Sequence, residues 1–205
     1  TVVRGRVRIP NVDLQRFASD SLSPRETAAL LKMYEGTPLE GTVRETFEVR
    51  TTVSAELKGE MQQASRGAIT PKGFGLVAQR MGRLMREQYR VGFADIGQWD
   101  THVNQGGAGG YLADRLRELG SGLATLREEL GPAWAQTTVV VVSEFGRTFR
   151  ENGNRGTDHG SGSALWLLGG KVRGGQVLGA QPVMTRERLN EDRDWPVLND
   201  YRAVL

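Results

Sequence analysis

The sequence contains no cysteine and only two histidines among its 205 residues. Without cysteine there are no disulfide scaffolds, thiolate zinc sites or cysteine nucleophiles. No apolar run approaches the roughly 20 residues that cross a bilayer as a helix. We therefore expect no membrane span.

Charge of one sign is not concentrated anywhere in the chain. The 27 basic residues are interspersed with 24 acidic ones, which gives a formal net charge of +3 and no run of five like charges. This pattern argues against a nucleic-acid partner and is compatible with an anionic substrate. Hydrophobic residues make up 38% of the chain, enough for a packed core without disulfide or metal staples.

The first half of the chain carries helix signals. Ser23-Pro-Arg-Glu26 provides an N-cap residue, a proline at the first helical position and a glutamate at the third, and Gly36 is a plausible stop. A second helix is predicted from about Val43 to Gln63, and a third after Thr70-Pro71. We interpret residues 1–89 as a mainly helical segment that covers a sheet.

The second half alternates strand and helix patterns. Leucines at helical spacing predict an amphipathic helix over Tyr111 to Leu130, and the β-branched run Thr137 to Ser143 is typical of a strand buried on both faces. Further strands are predicted at Val91–Ile96, Ala164–Leu168 and Gln176–Leu178. This order indicates an α/β domain over residues 90–205, with a partly parallel sheet and ligands at the carboxyl ends of its strands.

Both histidines fall in polar loops after predicted strands. His102 follows Asp100 by two residues, His159 directly follows Asp158, and Glu144 lies at the end of a strand. Aspartate, glutamate and histidine together suit zinc, manganese or iron. The alternative is that these residues only cap turns and form loop hydrogen bonds, with Glu144 paired to Arg147.

Three ordered segments carry a family resemblance. They are Gln98-Trp-Asp-Thr-His-Val-Asn-Gln105, Val139-Val-Val-Val-Ser-Glu-Phe-Gly-Arg-Thr148 and Asn152-Gly-Asn-Arg-Gly-Thr-Asp-His-Gly160. The chain resembles the bacterial domain-of-unknown-function family 1501, which belongs to the alkaline phosphatase and sulfatase superfamily. The resemblance over residues 90–205 implies an alkaline-phosphatase-like α/β/α sandwich around a large, mostly parallel sheet.

The resemblance also implies a divalent metal, zinc, manganese or similar. Asp100, His102 and His159 match one metal site in order, and Glu144 and Asp158 are further candidate ligands. Asp158 is alternatively a partner that orients His159. Phe145 stands where the superfamily usually has a histidine ligand of a second metal.

The remaining catalytic groups are also inferred from the resemblance. It implies that Arg147 or Arg155 stabilises the anion. The superfamily's hydroxyl nucleophile and first strand come from an amino-terminal part that we expect to lie outside this chain.

The function that the resemblance implies is metal-dependent hydrolysis of phosphate or sulfate esters by a periplasmic or exported protein. One alternative is a catalytically degraded member that binds a metal or an anionic ligand without hydrolysis. Another is a structural partner domain whose Asp and His loops are only hydrogen-bonded turns. A sheet without its amino-terminal strand would expose an unpaired edge, so we also expect a possible homodimer.

Overall fold

The computed structural model describes residues 22–65 and 73–204. It divides the chain into two compact units. We call the first, formed by the described residues up to Ala94 together with Gly122–Glu129, the helical unit. The second, formed by Asp95–Ser121 and the residues from Leu130 onward, we call the loop unit.

The described residues contain four α-helices. They are α1 (Pro24–Tyr34), α2 (Glu40–Ser65), α3 (Gly73–Glu87) and α4 (Tyr111–Leu130). The capping box at Ser23 is confirmed: its hydroxyl accepts from the backbone N–H of Glu26, and the Glu26 carboxylate accepts from the backbone N–H of Ser23. The predicted bounds of α4 are also confirmed. The predicted start of α3 at Thr70-Pro71 lies outside the described residues.

Helix α4 ends where the sequence supplies a glycine. Gly131 has a φ of 51°, the left-handed conformation in which a side chain is disfavoured. Pro132 follows within a short 3-10 turn, Gly131–Gln136, which leads into the first strand. None of the helices in the described ranges is both long and apolar enough to cross a bilayer.

The helical unit has an apolar core between its helices. Val53 of α2 and Leu84 of α3 are buried, and Val49 and Tyr89 pack against them. The charged side chains at its margin are paired: Arg83 Nε lies 3.2 Å from Glu129 Oε2. This core follows from the apolar stripe on α3, which buries one face of that helix.

The strands of the loop unit are short. Strand β1 (Thr138–Val141) pairs with β4 (Trp166–Gly169), and β2 (Gly146–Arg147) pairs with β3 (His159–Gly160). Both pairs are antiparallel and each forms a separate two-stranded sheet. The β-branched run is not buried on both faces, because Val140 and Val142 are exposed.

The predicted α/β/α sandwich with a mostly parallel sheet is therefore wrong. Among the described residues, Val91–Ile96 and Gln176–Leu178 form no strand, so α4 does not connect two parallel strands. The chain between β1 and β4 is mostly loop, without the helical crossover that parallel neighbours usually need. It therefore brings β4 back antiparallel to β1.

Candidate metal centre

Three side chains converge in the loop unit. The carboxylate of Asp100 and the imidazoles of His102 and His159 offer ligand atoms that all lie within 4.8 Å of one another. Oδ1 of Asp100 lies 2.9 Å from His102 Nε2 and 2.8 Å from His159 Nε2. The structure thus brings together three of the predicted ligands, although Asp100 and His159 are 59 residues apart in the sequence.

Backbone pairing explains why the two loops meet. The amide N–H groups of Asn104 and Gln105 donate to the carbonyls of Asn154 and Arg155, and Thr157 N–H donates to the Thr101 carbonyl. These bonds run alongside the site and hold the loop that precedes α4 against the loop that precedes β3. His102 and His159 are positioned by this loop contact rather than by the edge of a parallel sheet.

Gly156 allows the close approach of these loops. A Cβ at this position would lie 2.3 Å from the carbonyl carbon of His102 and 2.4 Å from the carbonyl oxygen of Thr101. Both are backbone atoms, which cannot move aside as a flexible side chain can. The glycine is therefore a steric requirement of the site.

Gln105 connects the loops through its side chain. Its Oε1 accepts from the hydroxyls of Thr101 and Thr157, both at 2.7 Å. Thr101 is buried, so its hydroxyl needs such a partner. Sequence reasoning did not single out these two threonines. The only signal was their place beside Asp100 and Asp158.

Arg147 lies next to the acidic ligand. Its Nη1 donates to Asp100 Oδ1 at 3.0 Å and its Nη2 to Thr101 Oγ1 at 3.2 Å. The β2–β3 ladder sets this position, because Arg147 is the cross-strand neighbour of His159. The predicted alternative, a pairing of Arg147 with Glu144, is wrong: Arg147 pairs with Asp100.

The other predicted residues are placed differently. Glu144 is exposed and does not belong to the three-residue group. Arg155 is also exposed, and it has a positive φ of 58°. It contributes its backbone carbonyl to the loop contact. Asp158 contacts His102 through its Oδ1, 3.1 Å from Nδ1, and lies outside the three-residue group.

Two carboxylates of the site are held in their charged form. The hydrogen bond from His159, assisted by the charge of His102 and by Arg147, lowers the pKa of Asp100. Hydrogen bonds from Asn152 and then His102, with the charge of Arg193, lower the pKa of Asp158. Both side chains remain partly open to solvent, so these effects are screened.

Aromatic contacts surround His159. Its ring centroid lies 4.2 Å from that of Phe145 and 4.8 Å from that of His102, both tilted. Phe145 therefore covers one side of His159. The resemblance predicts a histidine ligand at the position of Phe145. The phenyl ring restricts the movement of His159 but cannot bind a metal.

The residues present fit a divalent metal. One carboxylate and two imidazoles are the kind of set that leaves a coordination position open for water or substrate, as in catalytic zinc sites. His102 faces a carboxylate oxygen from each ring nitrogen, whereas a neutral imidazole carries a single N–H. A cation between Nε2 and Asp100, either a second proton or a metal, satisfies this arrangement.

Comparison with known proteins gives one result. Residues 4–204 match the family model described as protein of unknown function (DUF1501). Neither the curated proteins nor the solved structures include a match to this chain.

Proposed function

The chain belongs to the family of proteins of unknown function DUF1501, and from the site it carries we propose that it is a metal-dependent hydrolase of phosphate or sulfate esters. The observation behind the proposal is the convergence of both histidines on one oxygen of Asp100, at 2.8 and 2.9 Å. The proposed relation to alkaline phosphatases and sulfatases depends only on this set of three ligands. The described residues contain no parallel sheet, so the fold lends the relation no support.

Asp100, His102 and His159 would hold the metal. Their side chains are between 39% and 62% exposed, so the proposed centre faces solvent and a substrate can reach it directly. When bound, a divalent metal polarises a phosphate or sulfate oxygen and lowers the pKa of a hydroxyl group that it contacts. Glu144 lies outside the group, and the proposal gives it no role as a ligand.

Arg147 supplies positive charge for the ester. Its two terminal nitrogens are engaged by Asp100 and Thr101, while its buried Nε has no hydrogen-bond partner among the described residues. A guanidinium has five N–H donors in a plane, a geometry that suits the oxygens of a tetrahedral anion. In the proposal Arg147 fixes the orientation of Asp100 and offsets charge on the bound ester.

Two further parts of the hypothesis are carried by the resemblance alone. The nucleophile is not assigned to any residue of this chain, and export to the periplasm stays a prediction. The homodimer, which was predicted from an unpaired sheet edge, also stays a prediction.

A second candidate function is metal or anion binding without hydrolysis. The observation that favours it is Phe145, which stacks on His159 at 4.2 Å and cannot act as a ligand. Among residues 22–55 and 73–204, whose side chains the structure describes, the cluster at Asp100 is the single candidate group of metal ligands. Within those ranges there is no second group of ligands for a two-metal mechanism.

The two candidates can be separated in one series of measurements. We would titrate the protein with Zn²⁺ and Mn²⁺, and then assay p-nitrophenyl phosphate and p-nitrophenyl sulfate with the loaded protein. About one ion per chain, lost in Asp100→Asn and His159→Ala, is expected. Asp95→Asn is the matched control, because Asp95 is an exposed carboxylate five residues earlier that lies outside the cluster.

The outcomes differ clearly. Ester hydrolysis that falls with the loss of metal supports the hydrolase. Stoichiometric binding with no hydrolysis of either ester supports the second candidate. No bound metal ion, or binding that Asp95→Asn impairs as much as Asp100→Asn does, contradicts the hydrolase and metal binding alike, and leaves anion binding as the form of the second candidate.

A further inference from the structure

His102 has a carboxylate neighbour at each of its two ring nitrogens. Its Nδ1 lies 3.1 Å from Asp158 Oδ1, whereas its Nε2 lies 2.9 Å from Asp100 Oδ1. The two ring nitrogens point in diverging directions, so the imidazole stands between the two carboxylates. An ion bound at Nε2 is therefore out of reach of the Asp158 oxygen that contacts Nδ1.

Asn152 determines which atoms of this contact donate. Its Oδ1 accepts from the backbone N–H groups of Asn154 and Gly156, at 2.9 and 3.1 Å. With the oxygen engaged in this way, the amide nitrogen faces two acceptors, Asp158 Oδ1 at 2.9 Å and the His102 carbonyl at 3.0 Å. The amide therefore has a defined orientation, and it donates to Asp158.

Asp158 is anchored at its backbone as well. Thr148 N–H donates to the Asp158 carbonyl at 3.0 Å, and the Thr148 hydroxyl accepts from the Asp158 N–H at 3.1 Å. Thr148 is 5% exposed, so this anchor is buried. Arg193 Nη1 lies 3.5 Å from the other carboxylate oxygen. These contacts keep the carboxylate beside His102.

We propose that Asn152 and Asp158 are a positioning pair that holds His102 with its proton on Nδ1, which leaves Nε2 as the ligating nitrogen. With a metal between Nε2 and Asp100, the single proton of the neutral ring is on Nδ1, where the Asp158 carboxylate can accept it. The lone pair on Nε2 then remains for the metal that Asp100 would also bind. The inference rests on the proposed function for the metal, and it makes Asp158 a positioning residue and not a ligand.

His159 provides an internal comparison. Its Nε2 contacts Asp100 and its ring contacts Phe145 and His102, while its Nδ1 has no hydrogen-bond partner among the described residues. The tautomer of His159 should not depend on Asp158 or Asn152. Of the two rings, only that of His102 has a carboxylate contact at Nδ1.

The first test uses the protein loaded with Zn²⁺. Long-range ¹H–¹⁵N NMR of the two imidazoles reports which nitrogen binds the ion and which carries the proton. We expect His102 of the wild type to bind through Nε2 with a slowly exchanging proton on Nδ1, and we expect this proton to exchange faster in Asp158→Asn and in Asn152→Ala. His159 should be unchanged. A wild-type His102 that binds through Nδ1, or an Nδ1 proton whose exchange neither variant alters, overturns the proposal.

The second test uses Co²⁺, whose absorption spectrum reports the ligand set. We expect Asp158→Asn to weaken Co²⁺ affinity by about 10- to 100-fold, the usual effect of removing a carboxylate behind a metal-binding histidine, without altering the spectrum of the bound ion. Glu151→Gln, the removal of an exposed carboxylate in the same loop, is the matched control. A changed spectrum makes Asp158 a ligand and contradicts the proposal, as does an unchanged affinity.

The two failures can be told apart. If the wild-type protein binds no ion, the proposed function fails, and the positioning pair, which rests on it, fails with it. If the ion binds and the Nδ1 proton of His102 is insensitive to both substitutions, the proposed function stands and the positioning pair does not.

Discussion

The helical unit and the loop unit are stabilised by different kinds of contact. In the helical unit, buried Val53 and Leu84 pack with Val49 and Tyr89. In the loop unit, the candidate site is held by side-chain hydrogen bonds and backbone pairs, and its three proposed ligands are all partly exposed. This difference indicates that folding stability and site geometry depend on separate sets of residues. Substitutions should therefore change one property without the other.

The largest effect on stability is expected at Leu84. Replacing this buried leucine by alanine removes apolar contacts and leaves a cavity, so Leu84→Ala should lower the free energy of unfolding by about 2–5 kcal/mol. Urea denaturation followed by far-UV circular dichroism measures the loss. Met33→Ala is the control, because Met33 of α1 is 72% exposed and should cost no more than about 0.5 kcal/mol. Equal effects at both positions would contradict the assigned core.

The next effect is expected at the site, with little change in the helices. Gly156→Ala places a Cβ 2.3 Å from the His102 backbone and must separate the two loops. We expect loss of at least a factor of ten in Zn²⁺ affinity with an unchanged helical circular dichroism signal. Titration calorimetry measures the affinity.

Gly153 gives the matched control for that substitution. It lies in the same loop, and a Cβ there would meet nothing within 4 Å, so Gly153→Ala should bind Zn²⁺ as the wild type does. If both alanine variants bind alike, the loops do not need the close approach at Gly156 to form the site.

The same contrast explains which features could be predicted from the sequence. Helix α1 was predictable because its start depends on local signals, the Ser23 hydroxyl and the Glu26 carboxylate three residues apart. The positions of β1 and β4 were also predictable, but their pairing was not. The run Thr137 to Ser143 has strong β propensity, but neither its partner nor its burial is encoded locally. Only the fold of the loop between β1 and β4 determines that β4 returns antiparallel.

For the site, residue type carried more information than secondary structure. Asp100, His102 and His159 were predicted to meet, and they do, although through loop pairing and not at the edge of a parallel sheet. The contact of Asp158 with His102, and not with its neighbour His159, could not be predicted. It depends on the orientation of the Asn152 amide, which backbone N–H groups of its own loop determine.

A pair of glycines within α4 should give effects of about 1 kcal/mol with opposite signs. Gly120 is exposed and a Cβ there meets nothing within 4 Å, so Gly120→Ala should stabilise by up to about 1 kcal/mol through helix propensity. At Gly122 a Cβ would lie 2.2 Å from the Phe74 ring. The overpacking should cost more than the gain in helix propensity, so Gly122→Ala should be destabilising. Thermal unfolding measures both. A stabilising Gly122→Ala would mean that the core around Phe74 yields easily.

The smallest effect is expected from pH and should be confined to the loop unit. In the folded state, the hydrogen bond from His159 is the main cause of the lowered pKa of Asp100. The hydrogen bond from Asn152 is the main cause of the lowered pKa of Asp158. A lowered folded-state pKa contributes stability that is fully present above the ordinary aspartate value of about 3.9 and is lost as the pH falls through the folded-state value. Asp158→Asn should therefore show a smaller loss of stability than the wild type between about pH 5 and pH 2.

Thermal unfolding over this range, with Asp95→Asn as control, measures the difference. Parallel curves for the wild type and Asp158→Asn would mean that the contacts of Asp158 do not favour its ionised form.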